Sequence, residues 1–203
     1  YSQGFIKEEF IDSGFNKLYK EADSMSVHLT RILLEISGLT KKRNGKLSLT
    51  ASAKKYLAND SELLILLLRT FMAKFNWAYF DGYGENNIGQ LGCGFSLILL
   101  SKYGDIKHPD TFYAEKYFNA FPQLMASVVP SYGTKERYAA NCYSLRTFKI
   151  FFHYFGLITI ENQGKIFDKK IFITRTNLFD KLIRVNPHNV FDLKPLRMNG
   201  RML

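Results

Sequence analysis

Apolar residues recur at helical spacing between residues 24 and 36, with polar residues between them. The apolar positions are Val27, Leu29, Ile32, Leu33 and Ile36. Their spacing of three and four residues predicts a helix with one apolar face. Ser24 or Ser26 is a good N-cap for this helix, and Gly38 predicts its end.

After this glycine the pattern changes from helical to strand periodicity. Residues 41–46 read KKRNGK, in which Asn44-Gly45 predicts a hairpin turn. Leu47 and Leu49 then alternate with polar residues, as in a half-buried strand. Thr50 predicts the start of a further helix, whose inner face would be Ala53, Tyr56 and Leu57. A helix, a basic hairpin and a capped helix follow one another in the latter half of a winged helix-turn-helix.

The same order of signals returns between residues 143 and 183. A helical stripe of apolar residues comes first, and it consists of Leu145, Phe148, Phe152 and Phe155. Gly156 predicts the end of this helix, and the runs 157–160 and 170–173 predict two strands joined by a longer hairpin. The run Leu47–Thr50 matches Ile171–Thr174, and Thr174 or Thr176 opens the last helix. Two copies of unequal length indicate a repeated architecture without a strict period.

Both stretches resemble the second half of MarR-like winged-helix domains. In these domains a Gly-Leu step leads into the wing, as in Gly38-Leu39 and Gly156-Leu157, and a strand ending in Thr leads into a final helix. The run from Leu145 to Ile183 also resembles a helix–wing–helix segment of uncharacterised bacterial proteins. The resemblance covers about two fifths of the chain. It implies a tandem winged-helix fold and no particular activity.

The segment between the two copies has the pattern of a helical bundle. Asp60 or Ser61 would cap the strongly apolar stretch 62–75, which predicts a helix buried on all sides. A further helix is predicted over about 88–103, and a loop is predicted at His108-Pro109-Asp110. The next helix, 113–129, is interrupted near Phe121-Pro122.

These elements predict a mostly α (α+β) fold, with two winged-helix-like units flanking a central helical bundle. The first unit covers 1–59 and begins with a helical lead-in over 4–23. The bundle covers 60–130 and the second unit 131–186, with its lead-in helix at 134–141. Residues 187–203 are expected to form an extended tail, because they contain two prolines and few periodic apolar residues.

Charge is distributed unevenly along the 203 residues, whose net charge is +10. Residues 1–59 carry +4, residues 60–112 carry −2 and residues 113–203 carry +8. The positive charge therefore lies with the two predicted winged helices. Such a distribution favours binding to a polyanion such as nucleic acid.

The apolar runs, the cysteines and the first residue indicate where the protein is expected to reside and whether the chain is a fragment. No apolar run approaches the roughly 20 residues that span a membrane, so no membrane association is expected. Cys93 and Cys142 match neither a disulfide framework nor a metal-ligand spacing. We therefore expect a cytoplasmic protein with reduced cysteines. Residue 1 is Tyr and not Met, which is consistent with a fragment that lacks an N-terminal domain.

No catalytic, cofactor or metal site is predicted. The stretch 89–94 is rich in glycine but lacks the Gly-Lys-Ser/Thr of a P-loop and the strand of a dinucleotide fold, so close helix packing is expected there. The four histidines have no partner at metal-ligand spacing, and His153 within the aromatic stripe is expected at the core boundary. Asp81 and Glu85 either cap turns or line a pocket beside Trp77, and only the second alternative would suit an enzyme.

The favoured function is non-catalytic binding of duplex DNA. Four cations in the first wing and three in the second would contact phosphates, and these are Lys41, Lys42, Arg43, Lys46, Lys165, Lys169 and Lys170. The helix predicted over 24–36 would occupy the position of the recognition helix, and Arg31 is predicted to point outward from it. The candidates for reading base edges are Ser26, His28, Thr30 and Arg31. His28 and Glu35 are also predicted to point outward. In the second copy, Arg137, Arg146 and Lys149 would extend the basic surface.

The alternative is a protein-interaction or structural module. The helix of the second copy that carries Leu145, Phe148, Phe152 and Phe155, the second recognition-like helix, is so apolar that most of it must be buried. In this alternative the two winged helices would dock on one another, on another subunit or on the missing domain. The basic wing can also be interpreted as a solvent-exposed turn that binds nothing, and the sequence does not determine the oligomeric state.

Overall fold

Helices alternate with two small antiparallel sheets along the chain, of which the computed structural model describes residues 8–14, 17–164 and 170–186. The predicted α+β class is confirmed. The predicted tail 187–203 lies outside the described residues. Within the described part of the predicted lead-in 4–23, a short helix at Glu9–Asp12 and a 3₁₀ turn at Glu21–Asp23 are present.

The elements follow one another in this order. The helices are α1 (Glu9–Asp12), α2 (Met25–Ile36), α3 (Asp60–Ala73), α4 (Cys93–Tyr103), α5 (Asp110–Ala120), α6 (Gln123–Ala126), α7 (Lys135–Tyr143) and α8 (Asn177–Leu182). The strands are β1 (Thr40–Arg43), β2 (Lys46–Leu49), β3 (His108–Pro109), β4 (Ile158–Gln163) and β5 (Lys170–Arg175). A π-helical segment, Ser144–Phe152, continues α7, and 3₁₀ segments lie at Ala51–Tyr56 and Trp77–Phe80.

The cap and the turn of the first helix–hairpin segment form as predicted. The Ser24 hydroxyl accepts a hydrogen bond from the Val27 N–H at 3.3 Å, and it caps α2. Gly38 follows the end of the helix with φ of 77°. Asn44 and Gly45 have φ of 49° and 74°, as a type I′ hairpin turn requires.

Two predictions for the same segment are wrong. The prediction places Leu47 and Leu49 on the covered face of a strand, but they are 48% and 55% exposed. No other described element covers them, because the whole hairpin from 41 to 49 is exposed to solvent. The segment after Thr50 is a 3₁₀ helix in which only Ala53 is buried, while Leu57 remains exposed. A single small side chain gives this short helix little apolar surface to bury.

The two helix–hairpin segments repeat one hydrogen-bond pattern. The hydroxyl of Thr50 donates to the Gly38 carbonyl oxygen at 2.7 Å, and the hydroxyl of Thr176 donates to the Gly156 carbonyl oxygen at the same distance. Each threonine N–H also donates, at 3.0 Å, to the carbonyl of the leucine after the glycine. Thr176, and not Thr174, is therefore equivalent to Thr50, because β5 is longer than β2.

The central helices differ from their predicted boundaries for local reasons. Asn59 caps α3, since its side-chain oxygen accepts a hydrogen bond from the Glu62 N–H at 3.1 Å. This helix is not buried on all sides, and Ile65 is 38% exposed. α4 begins at Cys93 and not near 88, because Gly89 and Gly92 take left-handed φ of 84° and 75°. The interruption between α5 and α6 is confirmed.

The predicted loop at His108-Pro109 is a strand. β3 pairs antiparallel with β5, His108 opposite Ile173 and Pro109 opposite Phe172, so that the sheet order is β3-β5-β4. Proline is tolerated because β3 is an edge strand and needs no N–H on its open side. The central segment thus completes the sheet of the second hairpin.

Buried apolar residues from both helix–hairpin segments and from the central helices form one core. It runs from Leu29 and Leu33 of α2 through Phe71 and Trp77 to Phe179 of α8. The rings of Phe71 and Phe151 stack with centroids 4.8 Å apart, which joins α3 to the π-helical segment. The prediction that the second recognition-like helix is buried is confirmed, since residues 146–148 and 150–152 are all buried.

Candidate nucleic-acid interface

The first hairpin and the 3₁₀ helix after it carry a run of positive charge without opposing acid. Residues 36–59 contain no Asp or Glu and six Lys or Arg, namely Lys41, Lys42, Arg43, Lys46, Lys54 and Lys55. All six are exposed. Within the described residues none of them forms an ion pair. Their charge is therefore not neutralised within this part of the chain.

Sequence reasoning missed Lys54 and Lys55. The signal that identifies them is the absence of carboxylates between Glu35 and Asp60, which is visible only when the charge is counted over the whole segment and not over the hairpin alone. The 3₁₀ helix places both lysines in the last turn after the strand. They extend the basic run beyond the hairpin itself.

The strand register divides the hairpin into two faces. Directly paired residues of an antiparallel ladder lie on one face, and the faces alternate along each strand. The basic face consists of the pairs Lys41–Ser48 and Arg43–Lys46. The leucine face consists of the pairs Lys42–Leu47 and Thr40–Leu49. Three of the four hairpin cations therefore share a face that bears no apolar side chain.

The four predicted base-reading residues of α2 all have partners within the chain. The Ser26 hydroxyl donates to Glu8 Oε1 at 2.7 Å, and the Thr30 hydroxyl donates to the Ser26 carbonyl oxygen at 2.7 Å. Thr30 also shares a hydrogen bond of 2.6 Å with the Tyr154 hydroxyl. Arg31 forms ion pairs with Glu21 and, at 2.7 Å, with Glu35.

The His28 ring meets the rings of Tyr79 and Phe80 edge-on, with centroids 5.9 and 5.6 Å away. His28, Arg31 and Glu35 are partly exposed, but each already has a partner: His28 contacts Tyr79 and Phe80, and Arg31 pairs with both Glu21 and Glu35. Reading of bases by these residues stays a prediction, and it requires these contacts to open.

Glu8 holds the N-terminus of α2. Its carboxylate accepts hydrogen bonds from the Ser24 hydroxyl at 2.6 Å and from the Ser26 N–H at 3.1 Å. Burial raises the pKa of this carboxyl, but the hydrogen bonds from Ser24, Ser26 and Met25 together lower the pKa below its ordinary value. Glu8 thus keeps a negative charge at the N-terminus of α2.

Arg146 is a correction to the predicted basic surface. Its guanidinium is buried and forms an ion pair with Asp81, with 2.6 Å between Nε and Oδ2. It is therefore inaccessible to a nucleic acid. The sequence predicts that Asp81 either caps a turn or lines a pocket. Besides its pair with Arg146, its Oδ1 accepts a hydrogen bond from the Tyr83 N–H at 2.9 Å. Asp81 organises a turn, as one of the two alternatives predicted.

The second hairpin has a mixed charge in its described part. Lys165 and Lys169 lie outside the described residues. Lys170 is exposed at the start of β5. Glu161 of β4 forms an ion pair with Lys107 at 2.5 Å. Arg175 forms one with Asp180 at 2.9 Å. The first hairpin is therefore the better candidate for phosphate contacts.

The remaining candidate chemistry is buried or dispersed. Burial raises the pKa of the Cys142 thiol to about 12, and His153 is half-buried with its pKa lowered by burial. Across residues 8–14, 17–164 and 170–186 no cluster of three His, Cys, Asp or Glu side chains has the arrangement of a metal site. In the same ranges no helix has the length and apolarity to cross a membrane.

Comparison of the chain with protein-family models, with curated proteins and with solved structures gives no match. The resemblance to MarR-like winged helices therefore rests on the motifs and on the helix–hairpin order alone.

Proposed function

We propose that the chain is a non-catalytic nucleic-acid-binding module, in which both helix–hairpin segments are winged-helix units. In this proposal the basic face of the first hairpin binds the phosphate backbone of duplex DNA. The observation that supports it most directly is the run of six exposed cations without a carboxylate between residues 36 and 59. The repeated Thr–Gly hydrogen bond supports two copies of one unit.

Electrostatics favours phosphates over base edges as the bound groups. Lys and Arg that contact phosphates release condensed counterions from duplex DNA, and this release supplies affinity without reference to sequence. The polar side chains at the start of α2 are occupied by Glu8, Glu21 and Tyr154. We therefore expect affinity that depends strongly on salt and weakly on base sequence.

The experiment measures binding of a mixed-sequence duplex by fluorescence anisotropy at about 50 and 200 mM salt. The test variant reverses the charge at Lys41, Lys42, Arg43 and Lys46. The control variant reverses it at four exposed cations elsewhere, Lys17, Lys74, Lys181 and Arg184. Both variants have the same net charge, so a difference between them reports position and not total charge.

We expect the test variant to lose most of its affinity and the control variant to retain most of it. Each lost phosphate contact should reduce the slope of log affinity against log salt by about 0.9. Equal losses in the two variants would mean that the hairpin has no special role. Failure of the unmodified chain to bind at the lower salt would reject nucleic-acid binding altogether.

One observation favours a second candidate function, a protein-interaction module that docks through the leucine face. Leu47 and Leu49 lie on this face with about half of each side chain exposed. Substitution of both leucines by serine should abolish docking while leaving DNA affinity within about twofold, because no cation is changed. Sedimentation velocity of the chain and of this variant tests docking between copies of the chain. A concentration-dependent dimer that the variant loses supports docking, and a monomer in both cases counts against docking between copies.

A further inference from the structure

A groove lies between α3, α4 and the end of α8. Its volume is about 320 Å³, which lies at the lower end of the range of small-molecule sites. The residues that line it include Ile65, Leu68, Arg69, Leu97, Phe151 and Ile183. All but one of these side chains are apolar.

The floor of the groove is closely packed. Phe151 stacks on Phe71 with an angle of 6° between the ring planes, and Leu157 is fully buried. Leu68 contributes the inner face of α3 and is also buried. Side chains that are packed in this way keep the cavity open without a ligand, so that little ordering is needed when a ligand enters.

The exception among the lining residues is Arg69, which is exposed on α3. Among the described residues no carboxylate pairs with its guanidinium, and no hydrogen bond occupies it. A guanidinium presents planar donors that match a carboxylate, with two parallel hydrogen bonds. An apolar groove with one such cation is complementary to a molecule with a hydrocarbon body and a single anionic end.

We propose that this groove binds a small amphipathic carboxylate, of which a medium-chain fatty acid is the chemical type. The hydrocarbon chain lies against Phe151, Leu68 and Leu97, and the carboxylate accepts hydrogen bonds from Arg69. Burial of the chain provides the affinity, which should rise about fourfold for each methylene removed from water. The arginine provides the preference for an acid over a neutral molecule of equal length.

The probe is decanoate below its micellar concentration, compared with decan-1-ol, and binding is measured by calorimetry and by methyl NMR. We expect both probes to shift the methyl signals of Ile65 and Ile183. The substitution Arg69→Gln should weaken decanoate binding about two- to fivefold, as loss of an ion pair at an exposed position does, and should leave decan-1-ol binding unchanged. The control Arg137→Gln removes an exposed arginine of α7 and should change neither.

A second variant tests occupancy of the groove without altering charge. Ile65→Trp enlarges a rim residue that is already partly exposed, so we expect the chain to fold and both probes to be excluded. Shifts that miss Ile65 and Ile183, or an unchanged decanoate affinity in Arg69→Gln, would overturn the proposal. A dimer that dissociates in Ile65→Trp would assign the groove to a second copy of the chain and would overturn it as well. None of these results depends on DNA binding.

Discussion

Arg146 and Asp81 form an ion pair whose side chains are both fully buried, with Nη2 of the arginine 3.0 Å from Oδ1 of the aspartate. The guanidinium also donates to the carbonyl oxygens of Gly84 and Asn86 at 2.9 and 2.7 Å. It thereby holds the loop from 81 to 88 against the π-helical segment. Every one of these contacts disappears if the arginine is removed.

We expect Arg146→Met to lower the free energy of unfolding by about 3–5 kcal/mol, because it leaves the Asp81 carboxylate buried without its partner. Urea denaturation followed by circular dichroism measures the change. The double variant Asp81→Asn with Arg146→Met should recover part of the loss, since no buried charge remains. Arg137→Met, at an exposed position, should change stability by less than about 0.5 kcal/mol. A similar small effect at Arg146 would contradict its structural role.

Gly92 and Gly45 have almost the same left-handed φ, 75° and 74°, but different surroundings. A Cβ at position 92 would lie 2.5 Å from the ring of Phe121, whereas at position 45 it would meet no atom within 4 Å. Gly45→Ala should therefore cost about 1–2 kcal/mol from backbone strain. Gly92→Ala should cost a further 1–3 kcal/mol or so from overpacking. Thermal unfolding of the two variants tests this difference, and equal costs would contradict the close approach of Phe121.

The two equivalent threonines should differ in their contribution to stability. Thr176 caps α8 through a hydrogen bond of 3.3 Å from the Phe179 N–H, in addition to its bond to Gly156. Thr50 makes no such cap to the 3₁₀ helix after it. We expect Thr176→Val to cost about 1–2 kcal/mol and Thr50→Val about 0.5–1 kcal/mol. Denaturant unfolding of both variants gives the comparison, and the reverse order would show that the cap is not formed in solution.

Glu8 should make the stability of the chain depend on pH. Burial raises the pKa of its carboxyl, but the hydrogen bonds from Ser24, Ser26 and Met25 bring it below the ordinary 4.5. Because the folded pKa is the lower one, Glu8 stabilises the fold fully above pH 4.5 or so, and this contribution is lost as the pH falls through the folded pKa. We expect Glu8→Gln to be less stable near pH 7 and to show a flatter decline in acid.

Urea unfolding from pH 7 into the acid range measures this dependence. Glu115→Gln, at an exposed glutamate of α5, is the matched control and should reproduce the curve of the unmodified chain. A parallel displacement of the Glu8→Gln curve, with the same slope in acid, would contradict the linkage.

Local signals predicted the parts of the fold that depend on local chemistry. The Asn44-Gly45 turn, the Ser24 cap and the glycines that end both helices are determined by backbone preferences of a few adjacent residues. The basic hairpin was found in the same way, since its cations are contiguous. Lys54 and Lys55 are not contiguous with these cations, and they are identified only when charged residues are counted over the whole segment 36–59.

The missed features depend on residues that are distant in sequence. Arg146 has the spacing of a helix surface residue, and only its contact with Asp81, 65 residues away, explains its burial. The β3 strand has two residues, one of them proline, and its pairing with β5 is a tertiary event. The partners of the α2 side chains are also distant: Glu8 lies 18 residues before Ser26, and Tyr154 lies 124 residues after Thr30. Periodicity contains no information about such pairs.

The two hairpins differ in how their edges are protected. β3 covers one edge of the second hairpin, whereas the described residues place no strand beside either edge of the first. Open edges invite pairing with strands of other molecules, and lysine is a common means of preventing it. The cations of the first hairpin therefore have a consequence for solubility: neutral substitutions there should promote aggregation, and charge-reversing ones should not.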